Sequence, residues 1–198
     1  MKTIEVNLYK FSELPEETKE KVLNNWRNDN YFDDFYITDA NNTFKSFAKL
    51  FNINWRNIDY CEPYRNEYSI KLDDNVIQLS GQRLSTYIWN NYKNDLFKGK
   101  YLYKKPLSGN TKSKHSKIQL EHSCVLTGVC YDDDILAPIY EFLDKPKDNI
   151  NFETLINDCI YSLCHSVSSE IEYQNTDEAI TETIEANDYD FTEDGNLA

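Results

Sequence analysis

Between Phe152 and Ile171 the apolar residues recur at helical intervals, and this run constrains the chain more than any other feature. Phe152, Leu155, Ile156, Cys159, Ile160, Leu163, Val167 and Ile171 fall on one side only if the backbone is helical. Asn151 opens this helix. A helix with so continuous an apolar stripe requires other elements to cover it. Thr176 then caps a further helix with Ala179, Ile180 and Ile184 facing inward, and Asn187 stops it in the left-handed conformation. Tyr189 and Phe191 alternate, and Asp194-Gly195 is a hairpin signal. The acidic end of the chain is therefore read as ordered structure.

Upstream, Ile4, Val6 and Leu8 alternate as a half-buried strand. Pro15 suits a first helical position, with Glu13, Glu16 and Glu17 near the positive end of the dipole. Val22, Leu23 and Trp26 make the inner stripe of that helix, which runs to about Asn28. After an aromatic and acidic connector, Thr38 or Asp39 caps a helix whose face is Phe44, Phe47, Ala48 and Phe51. Ile53 and Trp55 form a second strand, and Tyr68, Ile70 and Leu72 a third. Asp73-Asp74-Asn75 reads as a turn leading into a hairpin partner through Ile77 and Leu79. Leu84, Tyr87, Ile88 and Tyr92 predict a helix after Gly81.

Tyr101 and Tyr103 fit a short strand, and 107–116 is a loop by composition. Ile118, Leu120, His122, Cys124 and Leu126 alternate as a strand ending near Gly128. Asp132, Asp133 and Asp134 precede a helix through Ile135, Leu136, Ile139 and Phe142, in which Pro138 is tolerated only near the start. The fold class expected is α+β, a small antiparallel sheet with segregated helices and a helical C-terminal third ending in a short hairpin. The expected organisation is an α+β core over 1–147, carrying a lysine-rich loop at 98–117, with an acidic helical segment, 148–198, packed on the same domain.

The chain of 198 residues is 40% hydrophobic, with fifteen Tyr, ten Phe and three Trp against one Met, so its core is built on rings. No window approaches a membrane-spanning apolar run, and MKTIEVNLYKF lacks the apolar centre of a signal peptide. The cysteines are Cys61, Cys124, Cys130, Cys159 and Cys164, an odd number that fits reduced thiols in a cytoplasm.

Charge is unevenly distributed along the chain. The net charge is −13. From Leu96 to Leu120 there is no acid, and Lys98, Lys100, Lys104, Lys105, Lys112, Lys114 and Lys117 accumulate there with Tyr101 and Tyr103. From Asp148 onward there are thirteen acids and no Lys or Arg. Lysines interleaved with tyrosines match a surface that tracks phosphates and stacks bases, or equally a solvated edge that protects a strand. Arginine is absent from the stretch, so bidentate reading of bases is not indicated. Glu178, Glu182 and Glu185 line one helix face at i, i+4 and i+7, a spacing close to that of phosphates on a nucleic-acid strand. Together with Asp188 and Asp190 they form an acidic face able to dock on a cationic groove, or simply the solvated side of an amphipathic helix.

The opening LYKFSELPEETKEKVLNNW, the helix entry KDNINFETLINDC and the closing TDEAITETIEANDYDFTEDGNL resemble segments of a family of small uncharacterised bacteriophage and prophage accessory proteins. The resemblance lies towards the two ends and leaves the middle, including the lysine-rich loop, uncovered. It carries no catalytic residues. It implies a phage accessory protein acting in the cytoplasm of a host bacterium, and by analogy an anti-CRISPR type of role.

Catalytic and metal chemistry has weaker support. His122, Cys124 and Cys130, with Cys164-His165, supply possible zinc ligands, but no paired CxxC knuckle occurs. Cys124 or Cys130 with His115, His122 or His165 has no spacing that indicates a nucleophile–base pair. Asp132 to Asp134 is the best divalent-cation candidate, set against plain N-capping by Asp134. No phosphate loop, HExxH or GxSxG motif is present. The expectation is a protein that binds rather than catalyses, without cofactor or metal. Its expected partner is a bacterial defence effector, with a CRISPR nuclease and its guide RNA as the leading example. The alternatives are a sponge for a defence signalling nucleotide and a metal-dependent nuclease.

Overall fold

A computed structural model describes residues 7–28, 34–102 and 117–198. The fold is α+β: helices dominate, and the strands form three antiparallel two-stranded pairs among the described residues. The chain divides into two compact units, residues 1–34 with 168–198, and residues 35–167.

The first unit begins with β1 (Tyr9–Lys10), a 3-10 turn (Phe11–Glu13) and α1 (Glu16–Asn28). Its core is Phe11, Leu14, Val22, Ile180, Ile184 and Phe191, flanked by Tyr9, Leu23, Trp26 and Tyr189. Val22, Leu23 and Trp26 are the inward positions of α1, and Ile180 and Ile184 those of α7 (Asp177–Ala186), as the spacing predicts, while Phe11 and Leu14 come from the segment between β1 and α1. Strand β6 (Asp190–Phe191) pairs with β1, Tyr9 opposite Phe191 and Lys10 opposite Asp190. Phe191 also bridges to Leu197, which closes the C-terminal hairpin. Gly195 makes that turn with φ +80, and a Cβ there would press to 3.0 Å on Thr18 and Val22 of α1. Glycine is needed for both reasons.

The second unit packs the apolar faces of α2 (Asp34–Leu50), α4 (Gly81–Leu96), α5 (Tyr131–Asp144) and α6 (Phe152–Gln174). The four-residue helix α3 (Asp74–Ile77) precedes α4. Phe51 lies at the centre of a ring cluster, 4.9 Å from Phe47, 4.8 Å from Tyr92 and 6.1 Å from Phe152. Each such side chain contributes about 1.5–3 kcal/mol by burial. Strands β2 (Ile53–Trp55) and β3 (Tyr68–Ile70) pair antiparallel, and so do β4 (Lys98–Leu102) and β5 (Lys117–Glu121).

Several local expectations are corrected. Residues 4–6 of the first expected strand lie outside the described residues, and among the described residues pairing starts at Tyr9. Helix α2 starts at Asp34, so Thr38 and Asp39 are helical and not caps. Asp73-Asp74-Asn75 does not turn a hairpin. The Asp73 carboxylate accepts the Asn75 amide at 2.8 Å and caps α3, while the true partner of β3 is β2. Asn187 keeps φ −93, and Asp188 takes the left-handed conformation at φ +55. Strand β5 stops at Glu121 rather than near Gly128, and α5 begins at Tyr131, so the three aspartates lie in its first turn.

Pro138 sits in mid-helix, where its missing amide would orphan the carbonyl of Asp134. The Ser162 hydroxyl of α6 donates to that carbonyl at 2.7 Å. The tertiary partner replaces the lost helical bond, which is why a proline is accommodated there.

Candidate functional site

Helix α7 is built by a cap and an inner stripe. Thr176 Oγ1 accepts the Ala179 amide at 3.2 Å, while Ala179, Ile180 and Ile184 are buried. The opposite face then falls to Glu178, Glu182 and Glu185, all exposed. Seven residues of helix place the outer two about 10 Å apart.

The acids around this helix divide into two sets. The first is tied down by the cations of the same unit. Lys10 Nζ sits 2.8 Å from both the Asp188 and Asp190 carboxylates and donates to the Asp188 carbonyl at 2.9 Å. Those bonds, to Asp188 first and Asp190 second, raise the pKa of Lys10. Arg27 pairs with Asp177 and donates through Nε to the Asn175 carbonyl at 2.9 Å. Lys21 Nζ donates to the Asp194 carbonyl at 2.6 Å. The second set is Glu178, Glu182 and Glu185, which have no cation within ion-pair distance among the described residues. A shallow cleft of about 210 Å³ adjoins this face, lined by Lys10, Phe11, Ser12, Ile184, Glu185 and Asp188. Sequence spacing did not nominate Lys10 or Arg27, because each meets its acid across about 150 residues or more of chain.

Folding sharpens the charge segregation. The first unit holds five Lys and Arg against eighteen Asp and Glu, so it carries the whole net charge of −13. The second holds sixteen of each and is neutral. The acidic C-terminal run is joined there by the acids of α1.

The lysine-rich segment belongs to the second unit. Lys98 opens β4 opposite Glu121, and its exposed ammonium donates to the Cys124 carbonyl at 3.0 Å. Lys100 and Tyr101 occupy β4 positions opposite Gln119 and Ile118, and Lys117 is opposite Leu102. Tyr103, Lys104, Lys105, Lys112 and Lys114 lie outside the described residues.

Among the described residues the carboxylates that suggested metal chemistry are engaged in holding the fold, and His115 lies outside the described residues. Asp132 is fully buried and accepts the amides of Leu126, Thr127 and Gly128 at 2.9, 2.6 and 2.9 Å, plus the hydroxyls of Thr127 and Thr43 at 2.7 and 2.9 Å. Its lone pairs are engaged by the loop it anchors. Asp133 accepts the Cys124 amide at 2.8 Å and the Ser123 hydroxyl at 3.1 Å, holding Cys124 at φ +47. Partial burial raises the pKa of Asp134, and Ser166 pulls it partly back. His122 packs against Tyr140 at a tilt of 34°, 4.3 Å between centroids, and His165 stacks on Tyr161, whereas Cys164 is buried beside Asn66. Burial pushes the Cys159 thiol well above its ordinary range and that of Cys164 up to about 11. All five cysteines are free. Among the described residues no three His, Cys, Asp or Glu side chains converge as a metal-ligand set, and no helix is long and apolar enough to cross a membrane.

The fold and its surfaces thus define an α+β protein with one acidic and one neutral unit. No family model, no curated protein and no solved structure matches the chain.

Proposed function

We propose that the protein is a stoichiometric inhibitor of a bacterial nucleic-acid-targeting defence system, acting by binding and not by turnover. The exposed carboxylates of α7 dock on the cationic groove with which an effector nuclease holds nucleic acid. A CRISPR effector with its guide RNA is the leading target. The reading is supported above all by Glu178, Glu182 and Glu185, an exposed acidic ridge that the described cations of its own unit leave uncompensated. Like charges at i, i+4 spacing cost a helix a few tenths of a kcal/mol, and only Glu178 lies in the first turn where the helix dipole favours an acid, so Glu182 and Glu185 do not serve helix stability. Such a surface steers towards a cationic partner and loses its pull as salt shortens the Debye length to about 10 Å at 0.1 M. The phage-like ends of the sequence supply the biological setting, and Lys98, Lys100 and Lys117 offer a second contact for guide RNA.

The test is a pull-down and a cleavage assay with CRISPR effectors, with and without guide RNA. Salt-sensitive complex formation and loss of cleavage are expected. The triple variant Glu178→Gln, Glu182→Gln, Glu185→Gln should fold normally and lose both. Failure of the wild-type protein to bind or inhibit any effector would remove the proposal.

A further inference from the structure

The second unit contains a cleft that the acidic ridge does not involve. Its volume is about 360 Å³, and its lining includes Pro63, Tyr64, Asn66, Tyr68, Asp158 and Tyr161. One wall is the 3-10 turn Pro63–Arg65 with β3, and the other is α6. Tyr64 is 79% exposed and Tyr161 62%, the two most exposed large apolar side chains among the described residues. Single exposed rings are ordinary, but two that meet at one cleft mark a contact surface.

The rings stand on a fixed frame. Asn66 accepts the Asp59 amide at 2.6 Å and returns a bond to the Asp59 carbonyl at 3.0 Å. The Asp59 carboxylate accepts the amides of Cys61 and Glu62 at 3.0 and 2.9 Å, which closes the loop that carries Tyr64. Tyr68 is held opposite Trp55 in the strand pair. Tyr161 lies nearly parallel to the His165 ring, 13° apart at 6.5 Å.

Asp158 is the charged residue of its lining, and the Glu62–Arg65 ion pair flanks it beside Tyr64. Loss of water raises the pKa of Asp158, with Lys147 pulling it partly back. The Tyr68 phenol is pushed up to about 12, by burial first and then by Glu153, Cys159 and Asp158 in that order. The Tyr64 phenol is raised chiefly by Glu62. Arg65, paired with Glu62, already places its guanidinium 5.9 Å from the Tyr64 ring centroid, so this ring accepts a cation in the folded protein. Tyrosine faces beside a carboxylate favour a cation and repel phosphate or carboxylate ligands.

We propose that this cleft binds the guanidinium group of an arginine side chain presented by a partner protein, with Tyr64, Tyr68 and Tyr161 against the cation and Asp158 as its counter-ion. The occupant is a side chain within a polypeptide, because Arg65, the cation that flanks the cleft, is already paired with Glu62 and is not free to hold the α-carboxylate of a free amino acid. This inference does not rest on the acidic ridge, which belongs to the other unit.

Titration of the full chain with N-acetyl-arginine methylamide, followed by NMR, tests it. Saturable shifts are expected at Tyr64, Tyr68 and Tyr161. The neutral isostere N-acetyl-citrulline methylamide should give none, and the lysine analogue and free arginine should bind more weakly. Asp158→Asn and Tyr161→Ala should each weaken binding about tenfold. Tyr64→Ala is the independent variant should either of these fail to fold. Absence of saturable shifts would overturn the proposal, as would equal binding of citrulline. Lysine or free arginine binding as well as the blocked arginine would overturn the guanidinium or the polypeptide assignment respectively, and unaltered binding by the variants would overturn the site.

Discussion

The two compact units treat charge in opposite ways. The first carries a net −13 around a core cluster of six buried side chains. The second is neutral around the buried faces of four helices. In the second unit a carboxylate such as Asp132 is withdrawn from water and organises a loop. In the first, cations tie acidic segments together, Lys10 to Asp188 and Asp190, and Arg27 to Asp177. Among the described residues no cation pairs with Glu178, Glu182 or Glu185. Excess charge of one sign works against a compact state, and a small core is poorly placed to offset it.

The comparison can be broken first at the cores. Phe51→Ala in the second unit and Phe191→Ala in the first should each cost about 3–5 kcal/mol. Amide exchange in α4 and α6 for the former, and in β1 and β6 for the latter, would report it. Similar protection in mutant and wild type would show that the assigned cores are wrong.

Removing one negative charge separates the units more sharply. Asp132→Ala strands five donors and should cost about 3 kcal/mol in denaturant unfolding. Glu182→Gln on α7 removes the same charge from an exposed site and should stay within about 0.5 kcal/mol of wild type, with a small gain the expected sign. Comparable losses at both positions would erase the distinction between an anchoring carboxylate and a surplus one.

The smallest effect concerns pH. Asp134 and Asp158 in the second unit have folded pKa values raised chiefly by loss of water. Their protonated forms are favoured by folding. The stability they add is fully present below the ordinary carboxylate pKa and is lost as pH rises through the raised values. Unfolding curves across the acid range should show this slope, and Asp134→Asn with Asp158→Asn should flatten it.

The helices were legible because their signals are local. Thr176 caps α7 and its apolar residues repeat at helical spacing, so both its extent and its exposed glutamates could be read directly. The turn at Asp73 misled because aspartate before aspartate and asparagine signals a hairpin turn and a helix cap alike, and the cap won. Alternation from Ile118 to Leu126 continued beyond the real strand because the chain there is wound onto the carboxylates of Asp132 and Asp133, bonds that leave no period in the sequence. Charge runs were visible, but the acids of α1 join the C-terminal acids only on folding. The tyrosine cleft was invisible, since Tyr64 and Asp158 come from distant segments.

The most direct test of the central claim is target cleavage by a guide-loaded CRISPR effector, measured against increasing protein at two salt concentrations. Wild-type protein is expected to inhibit at a stoichiometric ratio, more strongly at low salt. The Glu178→Gln, Glu182→Gln, Glu185→Gln variant is expected to keep its melting temperature and lose inhibition. Undiminished inhibition by that variant, or inhibition indifferent to salt, would contradict the assignment of binding to the acidic ridge.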